Sequence, residues 1–364
     1  RPFLMSTDST SADTNAFSRV AARNYYTQFS INQVVTQADF SFLNTSYQQF
    51  TGGISPIYLN TGMNALIMFG INDLFEDYRI TGGFRLSFDL MSNEFMFSYE
   101  DLSKRLDHQL VLYRQSIKST LSDYYCKQYS NSVFYIMKFP FNKFNSLRLT
   151  LTGRYETYVT AALNDVSLKA KDEKHGWGGV KLEYIFDSSK ELYTNLWRGT
   201  KMKIFAEYQH RIDKDNKNLL VLGFDARKSV KVFRNMTWAT RIAASTNFGS
   251  SRLVYYMGGM DNWIFAKFDN SIWVDQSKDY AYQTLATNMR GFKQNIRNGT
   301  SFALISTELR IPFVQLIAKK QVSKSFFNSL QLIVFGDFGP AWTGKTPYAE
   351  DNCLYNRYVN SGDI

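Results

Sequence analysis

The sequence is poor in the residues that cross-link small domains through disulfides or bind metals. It has only two cysteines, three histidines and six prolines in 364 residues. Both cysteines, Cys126 and Cys353, lie in stretches predicted to be loops, and the sequence leaves open whether they form a disulfide or stay as free thiols. None of the histidines has the spacing of a metal-ligand set. With 21 glycines beside the six prolines, a collagen-like or linker-dominated chain is excluded.

Long hydrophobic runs are also missing. A transmembrane helix needs about 18 or more consecutive apolar residues without charges, and no stretch of this chain approaches that. A helical membrane protein is therefore excluded. Disorder is excluded as well, because a hydrophobic content of 44% is ample for a folded core.

Motifs of enzymatic chemistry are absent from the sequence. It contains no glycine-rich phosphate loop, no Gly-x-Ser-x-Gly nucleophile elbow and no paired-cysteine zinc motif. The glycine pairs Gly82-Gly83 and Gly258-Gly259 are interpreted as bends or kinks in strands. We therefore predict no catalytic residue, no metal site and no cofactor, and expect that the protein is not an enzyme.

The charge balance is basic. Lysine and arginine total 42 against 32 acidic residues, which gives a net charge of +10 and a pI near 9.3. Such a balance suits nucleic acid, anionic lipid headgroups or the phosphates of lipopolysaccharide. No run of basic residues is dense enough to follow a nucleic-acid backbone, so the sequence favours membrane lipid and lipopolysaccharide and no nucleic acid.

Aromatic residues are abundant and follow an alternating pattern. Phe, Tyr and Trp make up 16% of the chain, although the mean hydropathy of −0.30 is that of a soluble protein. Residues 147–156 and 201–209 place apolar side chains at every second position, with polar or charged ones between them. A period of two indicates half-buried strands, whereas an amphipathic helix would repeat every 3.6 residues.

This alternation recurs along nearly the whole chain and predicts an all-β fold. Twelve clear strands and a weaker first one are expected at residues 28–40, 63–71, 79–89, 93–101, 107–116, 132–139, 147–159, 178–187, 200–211, 218–227, 236–247, 301–313 and 330–339.

The connections between these strands alternate in length. Short ones lie at residues 72–77, 103–107, 140–145 and 228–235, and long polar ones at 117–131, 160–176 and 248–300. Short turns at one end and long loops at the other are typical of an outer-membrane β-barrel. The alternative is a soluble sandwich, but its apolar faces lie inside and seldom carry so many aromatic residues near strand ends.

Polarity predicts which face of the wall meets lipid. An ion that faces hydrocarbon at mid-membrane costs about 2–4 kcal/mol, so the charged positions must face the lumen. The predicted lumen set is Arg148, Arg154, Glu156, Lys201, Lys203 and Glu207. The predicted lipid set includes Leu149, Leu151, Ile204, Ala206, Ile305, Leu309, Leu332 and Val334.

Several short motifs follow one another near the end of the chain. The long segment 248–300 carries Tyr256-Met257-Gly258-Gly259 and then Asn288-Met289-Arg290-Gly291-Phe292. A strand with Glu308-Leu309-Arg310-Ile311-Pro312 comes next, followed by one with Phe335-Gly336-Asp337-Phe338-Gly339 and Trp342. In kind, order and spacing, these motifs resemble those of the BamA/TamA superfamily of outer-membrane insertases and two-partner-secretion transporters.

The resemblance is clearest over residues 250–345 and looser upstream. Met289 stands where the family usually has valine, and the turn at 72–77 lacks the family's glycine. These departures indicate a divergent branch. The resemblance implies a transmembrane barrel of the 16-strand type, with about 13 strands present here and three further strands missing after residue 364. Residues 1–27 are interpreted as a linker from an upstream periplasmic region, and residues 28–364 as the partial barrel with the inserted loop 248–300.

The resemblance also implies a site. Arg290, Gly291 and Phe292 correspond to the family's loop-tip motif, which lies against the inner barrel wall. In the two following strands, the alternation of side chains between the two faces places Glu308 and Asp337 on the lumen face. The guanidinium of Arg290 is therefore expected to bind both carboxylates. Gly291 is expected to let the backbone approach the wall, and Phe292 to fill a lumen pocket.

The function implied by the resemblance is insertion or translocation of proteins at the bacterial outer membrane, without nucleotide hydrolysis. Its partners would be unfolded outer-membrane or secreted protein substrates and periplasmic accessory subunits, beside outer-membrane lipid and lipopolysaccharide. Two alternatives from other classes remain at this point. One is a passive or gated channel for small solutes, and the other is a surface protein whose long loops bind partners.

Overall fold

The structure is a computed structural model. It describes residues 27–39, 47–50, 64–87, 92–121, 124–161, 172–193, 196–213, 215–233, 236–260, 267–275, 277–312, 330–348 and 352. Most of the predicted linker 1–27 lies outside these residues. No helix long and apolar enough to cross a bilayer occurs in the described part of the chain.

The described residues are organised entirely as strands, turns and loops. The strands are β1 (Phe29–Asp39), β2 (Gln48–Gln49), β3 (Asn64–Asp73), β4 (Tyr78–Ser87), β5 (Asn93–Asp101), β6 (Asp107–Leu121), β7 (Tyr124–Pro140), β8 (Asn145–Ala161), β9 (Glu173–Asp187), β10 (Lys190–Tyr193), β11 (Leu196–Arg211), β12 (Asn218–Lys231), β13 (Thr237–Phe248), β14 (Arg252–Met257), β15 (Tyr280–Leu285), β16 (Arg297–Gly299), β17 (Ser301–Ile311), β18 (Leu332–Phe338) and β19 (Ala341–Trp342).

Thirteen of these strands form one antiparallel wall, in which each strand pairs with the next wall strand along the chain. The order is β1-β3-β4-β5-β6-β7-β8-β9-β11-β12-β13-β17-β18, with β10 and β19 as short additions on β11 and β17. All thirteen predicted strands are present in this wall, so the prediction of an antiparallel barrel sheet is confirmed. Within the described residues β1 and β18 do not pair with each other, and the sheet stays open, as the odd strand count predicted.

One predicted loop is wrong. The polar stretch 117–131 is not a loop, because β6 and β7 continue as a paired ladder up to Leu121 and Tyr124. Cys126 therefore lies in a strand, while Cys353 is outside the described residues. A strand that extends beyond the hydrocarbon layer needs no apolar face, so its hydrophobic alternation fades although its backbone hydrogen bonds persist.

The two faces of the wall differ as the polarity predicted. On β8, the side chains of Thr150, Arg154 and Glu156 are buried against the interior, and Leu151 and Tyr155 on the other face are exposed. Residues of the predicted lipid set are also exposed on β11 and β17, with Ile204 51% and Ile305 50% exposed. In the membrane this outer surface would contact lipid.

We expect nitroxide spin labels along residues 202–208 to alternate in accessibility to a lipid-soluble quencher. Labels at Ile204, Ala206 and Tyr208 should be accessible because these side chains are exposed on the outer face. Labels at Lys203, Phe205 and Glu207 should be shielded because these side chains face the interior. Uniform accessibility along β11 in a lipid bilayer would contradict the barrel wall.

Candidate functional site

The long segment between β13 and β17 folds into a second, smaller sheet. Its strands β14, β15 and β16 are joined by β2, which comes from the connection between β1 and β3, in the order β16-β14-β15-β2. β14 and β15 run parallel, whereas the other two pairings are antiparallel. We call the described residues of 252–299 together with β2 the plug.

The plug is packed against the inner face of the wall through an apolar core. From the plug it includes Leu253, Tyr255, Met257, Tyr282 and Met289. From the wall it includes Trp177, Leu219, Val221, Ala243, Phe302 and Leu304. In an open pore, the lumen positions of β9, β12, β13 and β17 would be polar, but here they are apolar. Buried apolar surface therefore holds the plug in addition to its polar contacts.

The strand β2 ties the first connection of the wall to the plug. Gln48 and Gln49 pair with Gln283 and Tyr282, and the amide of Phe50 donates to the carbonyl of Ala281 at 3.1 Å. The neighbouring Tyr47 hydroxyl donates to Glu207 Oε2 on β11 at 2.9 Å. Burial, reinforced by the charge of Glu207, raises the pKa of Tyr47 well above its ordinary value, so the hydroxyl stays protonated and keeps its donor role.

A second tyrosine contact links the plug to β8. The Tyr282 hydroxyl donates to Glu156 Oε2 at 3.5 Å, and the Arg154 guanidinium lies 5.1 Å from the centre of the Tyr282 ring. Arg154 and Glu156, both predicted to face the lumen, are therefore in contact with the plug. The sequence did not predict these tyrosine contacts, because only the wall side of each pair has a regular pattern.

The Gly258-Gly259 pair holds the turn that carries Arg290. The amide of Met289 donates to the carbonyl of Gly259 at 3.0 Å, and the amide of Gly259 donates to the carbonyl of Phe292 at 3.1 Å. Gly258 has φ of +97°, and a β-carbon there would lie 2.0 Å from the Lys293 carbonyl oxygen. Gly258 is therefore needed for a close backbone contact, whereas Gly259 is favoured by its φ of +82°.

Arg290 extends from this turn to the wall and meets both predicted carboxylates. Its Nε and Nη2 donate to Asp337 Oδ2 and Oδ1 at 2.8 and 2.7 Å, and its Nη1 donates to Glu308 Oε1 at 2.5 Å. Its backbone amide also donates to Asp337 Oδ2, at 2.9 Å. The structure thus brings Arg290, Glu308 and Asp337 together, with the guanidinium fork bidentate on Asp337.

Two further wall residues complete the surroundings of the guanidinium. Ser306 Oγ accepts a hydrogen bond from Arg290 Nη2 at 3.0 Å, and the Phe335 ring lies 3.9 Å from the guanidinium carbon. Side-chain exposure is 19% for Arg290 and 1% for Asp337. The hydrogen bonds to Asp337 raise the pKa of Arg290 above its ordinary value, so the contact persists over the physiological pH range.

The expected roles of the next two residues are wrong. Phe292 does not fill a lumen pocket, since 40% of its side chain is exposed. Gly291 makes no close approach, because a β-carbon there would meet nothing within 4 Å. Its φ of +84° explains the glycine instead, since this left-handed conformation disfavours side chains. The aromatic contact of the Arg290 turn is supplied by Phe335 of the wall.

We expect Gly258→Ala to loosen the plug more than Gly291→Ala. Both positions have positive φ and carry a similar backbone penalty of about 1–2 kcal/mol. Only at Gly258 would the new β-carbon also collide with the carbonyl oxygen of Lys293. The backbone at Lys293 would then have to move, and the Arg290 turn with it. Trypsin cleavage after Lys293 should be faster in Gly258→Ala than in Gly291→Ala. Equal cleavage rates would contradict the role given to Gly258.

Other polar clusters of the lumen face involve no metal-like arrangement. Within the described residues, no group of three or more His, Cys, Asp or Glu side chains could hold a metal ion.

A further polar cluster on β12 and β13 was not predicted from the sequence. In it, the carboxylate of Asp225 lies between Arg227 and Arg241. The alternation of side chains along β12 and β13 could have predicted it, because it places all three residues on the lumen face.

Comparisons with known proteins show a likeness in structure. No protein-family model matches the sequence, and no curated protein matches it. The fold is similar to that of BamA from Haemophilus ducreyi, in a crystal structure lacking POTRA domains 1–3, with a TM-score of 0.51 and 13% sequence identity. The match covers 87% of this chain and 58% of the other, so the chain spans less than two thirds of that structure's length. The chain therefore has a BamA-like β-barrel fold, of the outer-membrane type.

Proposed function

We propose that the chain is the barrel of a bacterial outer-membrane protein that assists the insertion or translocation of other proteins. It acts without catalysis and without a cofactor. Its clients are unfolded outer-membrane or secreted proteins, its wall contacts outer-membrane lipid and lipopolysaccharide, and periplasmic accessory subunits deliver the clients. This goes beyond the fold likeness and rests on the motifs that resemble the BamA/TamA superfamily.

The observation that carries the proposal is the docking of the Arg290 turn on two adjacent wall strands. The motifs lie on separate elements, in the plug, on β17 and on β18, yet Gly259, Arg290, Glu308 and Asp337 meet in one set of contacts. Function is better argued from a site than from a fold, and here the residues of the resembling motifs contact one another. This supports a common role for them in holding the plug. In that role, the plug is held against the wall while the barrel handles a client.

The packed plug argues against a passive channel for small solutes. Five of its buried apolar residues fill the space along β9, β12, β13 and β17, where a pore would need water. We therefore favour a route along the edge of the sheet, in which unpaired backbone groups of an edge strand pair with the incoming strand.

The test is depletion of the protein in its own bacterium, followed by quantification of the other outer-membrane proteins. We expect many other barrels, or a specific set of secreted proteins, to decrease. Complementation with the unaltered gene should restore them, with Arg297→Ala as effective as the unaltered protein and Arg290→Ala less effective. Unchanged levels of all other envelope proteins, together with large single-channel conductance of the purified protein, would contradict the proposal and favour the channel.

A further inference from the structure

A cavity of about 430 Å³ lies in the lumen beside the Arg290 turn. Its walls come from β11, β12, β13 and β17, and Asn288 and Arg290 of the plug form its boundary on one side. Ligand pockets in proteins typically measure about 300–1,000 Å³, so a small ligand or a short peptide segment fits this space.

The charged side chains that line the cavity are almost all cationic. There is one carboxylate, Glu308, against five cations, namely Lys201, Arg227, Arg241, Arg290 and Arg310. The remaining carboxylates that pair with these cations lie outside the lining. With these partners included, the five cations face four carboxylates, Asp187, Asp225, Glu308 and Asp337, so the surroundings of a ligand carry one net positive charge. Low-dielectric walls strengthen the field of that charge.

One of the five cations is in excess over its partners. Arg227 and Arg241 share a single carboxylate, since Arg227 donates to Asp225 at 3.0 and 3.1 Å and Arg241 donates to it at 2.6 and 3.2 Å. Arg241 alone would neutralise Asp225. Arg227 is the more accessible of the two, with 55% of its side chain exposed against 26% for Arg241.

We infer that this cavity binds a short acidic segment of a polypeptide, with its Asp or Glu carboxylates on Arg227 and the neighbouring cations. Guanidinium forks match carboxylates in geometry, and several arginines together favour repeated carboxylates over a single small anion. Trp197, whose ring lies 4.5 Å from the Lys201 ammonium, offers an apolar wall for the peptide stem. A lipid phosphate is less suited, because the apolar side chains of the lining, Trp197, Ala239 and Met260, are too few to cover the acyl chains of a lipid.

The inference rests on the proposed function only for the origin of the peptide, which would be an acidic stretch of a client. The binding itself is a property of the cavity. It can therefore be tested on the purified full chain, separately from any assay of insertion or secretion.

The experiment measures binding of a fluorescently labelled hexaglutamate peptide to the protein in lipid nanodiscs, with hexaglutamine as the uncharged probe. Arg227→Gln removes the excess cation and leaves Asp225 paired with Arg241, so that folding is preserved. Lys228→Gln is the matched control, because it removes one positive charge from the adjacent position of β12, and Lys228 does not line the cavity.

We expect hexaglutamate to bind and hexaglutamine to bind at least about tenfold more weakly, as expected when charge-assisted hydrogen bonds are lost. Arg227→Gln should weaken hexaglutamate binding about fivefold to tenfold, and Lys228→Gln by less than twofold. Equal weakening by the two variants, or equal affinity for the two peptides, would overturn the inference. Binding as expected in a protein whose depletion leaves other envelope proteins unchanged would overturn the proposed function and leave the site in place.

Discussion

Arg290→Ala is expected to release the plug from the wall and to produce the largest loss of function among single changes in the described lumen. The variant leaves Asp337, which is 1% exposed, without its cation and without the two side-chain donors, Nε and Nη2, that bind it. Removing one partner of a fully buried ion pair costs about 3–5 kcal/mol. This pair is part-buried, since 19% of the Arg290 side chain is exposed, so we expect a smaller cost of about 1–3 kcal/mol from the lost charge-assisted hydrogen bonds. Nothing in the apolar core of the plug replaces that interaction.

Hydrogen exchange measures this release directly. The backbone amide of Arg290 donates to Asp337, so its exchange rate reports whether the turn is docked. In Arg290→Ala, a peptide that covers residues 286–294 should exchange at least about tenfold faster than in the unaltered protein. Arg290→Lys should be intermediate, because a lysine keeps the charge but lacks the planar fork.

Arg297→Ala is the control for this experiment. Arg297 lies in the same plug, on β16, and its Nη1 donates to the carbonyl of Ile296 at 2.7 Å. Among the residues that the structure describes, no carboxylate forms an ion pair with Arg297, so exchange at 286–294 should stay within about twofold. If both alanine variants exchanged equally fast, the turn would not be held by Arg290.

Leu151→Arg is expected to impair folding into a bilayer far more than Thr152→Arg at the adjacent position. Leu151 lies near the middle of β8, is 40% exposed on the outer face, and is paired with the outward Tyr135 and Val180. An arginine that faces lipid at mid-membrane costs about 2–4 kcal/mol. This cost is comparable to a large part of the stability of a typical domain.

Thr152 tests the opposite face with the same side chain. It borders a lumen cavity of about 470 Å³ whose charged lining consists of Arg148, Arg154, Lys181, Glu183 and Glu207, so an arginine there has space in polar surroundings and does not face hydrocarbon. The measurement is the folded fraction in lipid vesicles at increasing urea, read from the mobility difference between folded and unfolded protein on unheated gels. A Thr152→Arg variant as unstable as Leu151→Arg would mean that the two faces of β8 are not distinguished by lipid.

The two experiments address different parts of the molecule. The leucine variant tests whether the outer face of the sheet is a membrane surface, and the arginine variant tests whether the plug is anchored to the inner face. A protein that fails only the second test would still be an outer-membrane barrel, with a plug held by its apolar core alone.

The wall could be predicted from the sequence because the information is local. Mostly polar or charged residues at every second position of β8 and β11 define the face of each strand. Antiparallel neighbours joined by short connections have few alternative pairings. The same parity put Glu308 and Asp337 on one face, and the motif resemblance supplied Arg290 as their partner.

The plug was decided by the tertiary structure. Its strands have two to six residues, too few for a period to be recognised, and β14 and β15 pair in parallel. β2 pairs with residues more than 200 positions later in the chain, such as Gln48 with Gln283, and no local pattern selects that partner. Phe292 and the stretch 117–131 were predicted wrongly for a related reason, since exposure of one side chain and extension of a strand beyond the membrane depend on what lies around them. The sequence by itself thus determined the wall and its two faces, because hydrophobic alternation is a property of single strands. Which segments close the lumen depended on contacts between distant residues, which only the folded chain brings together.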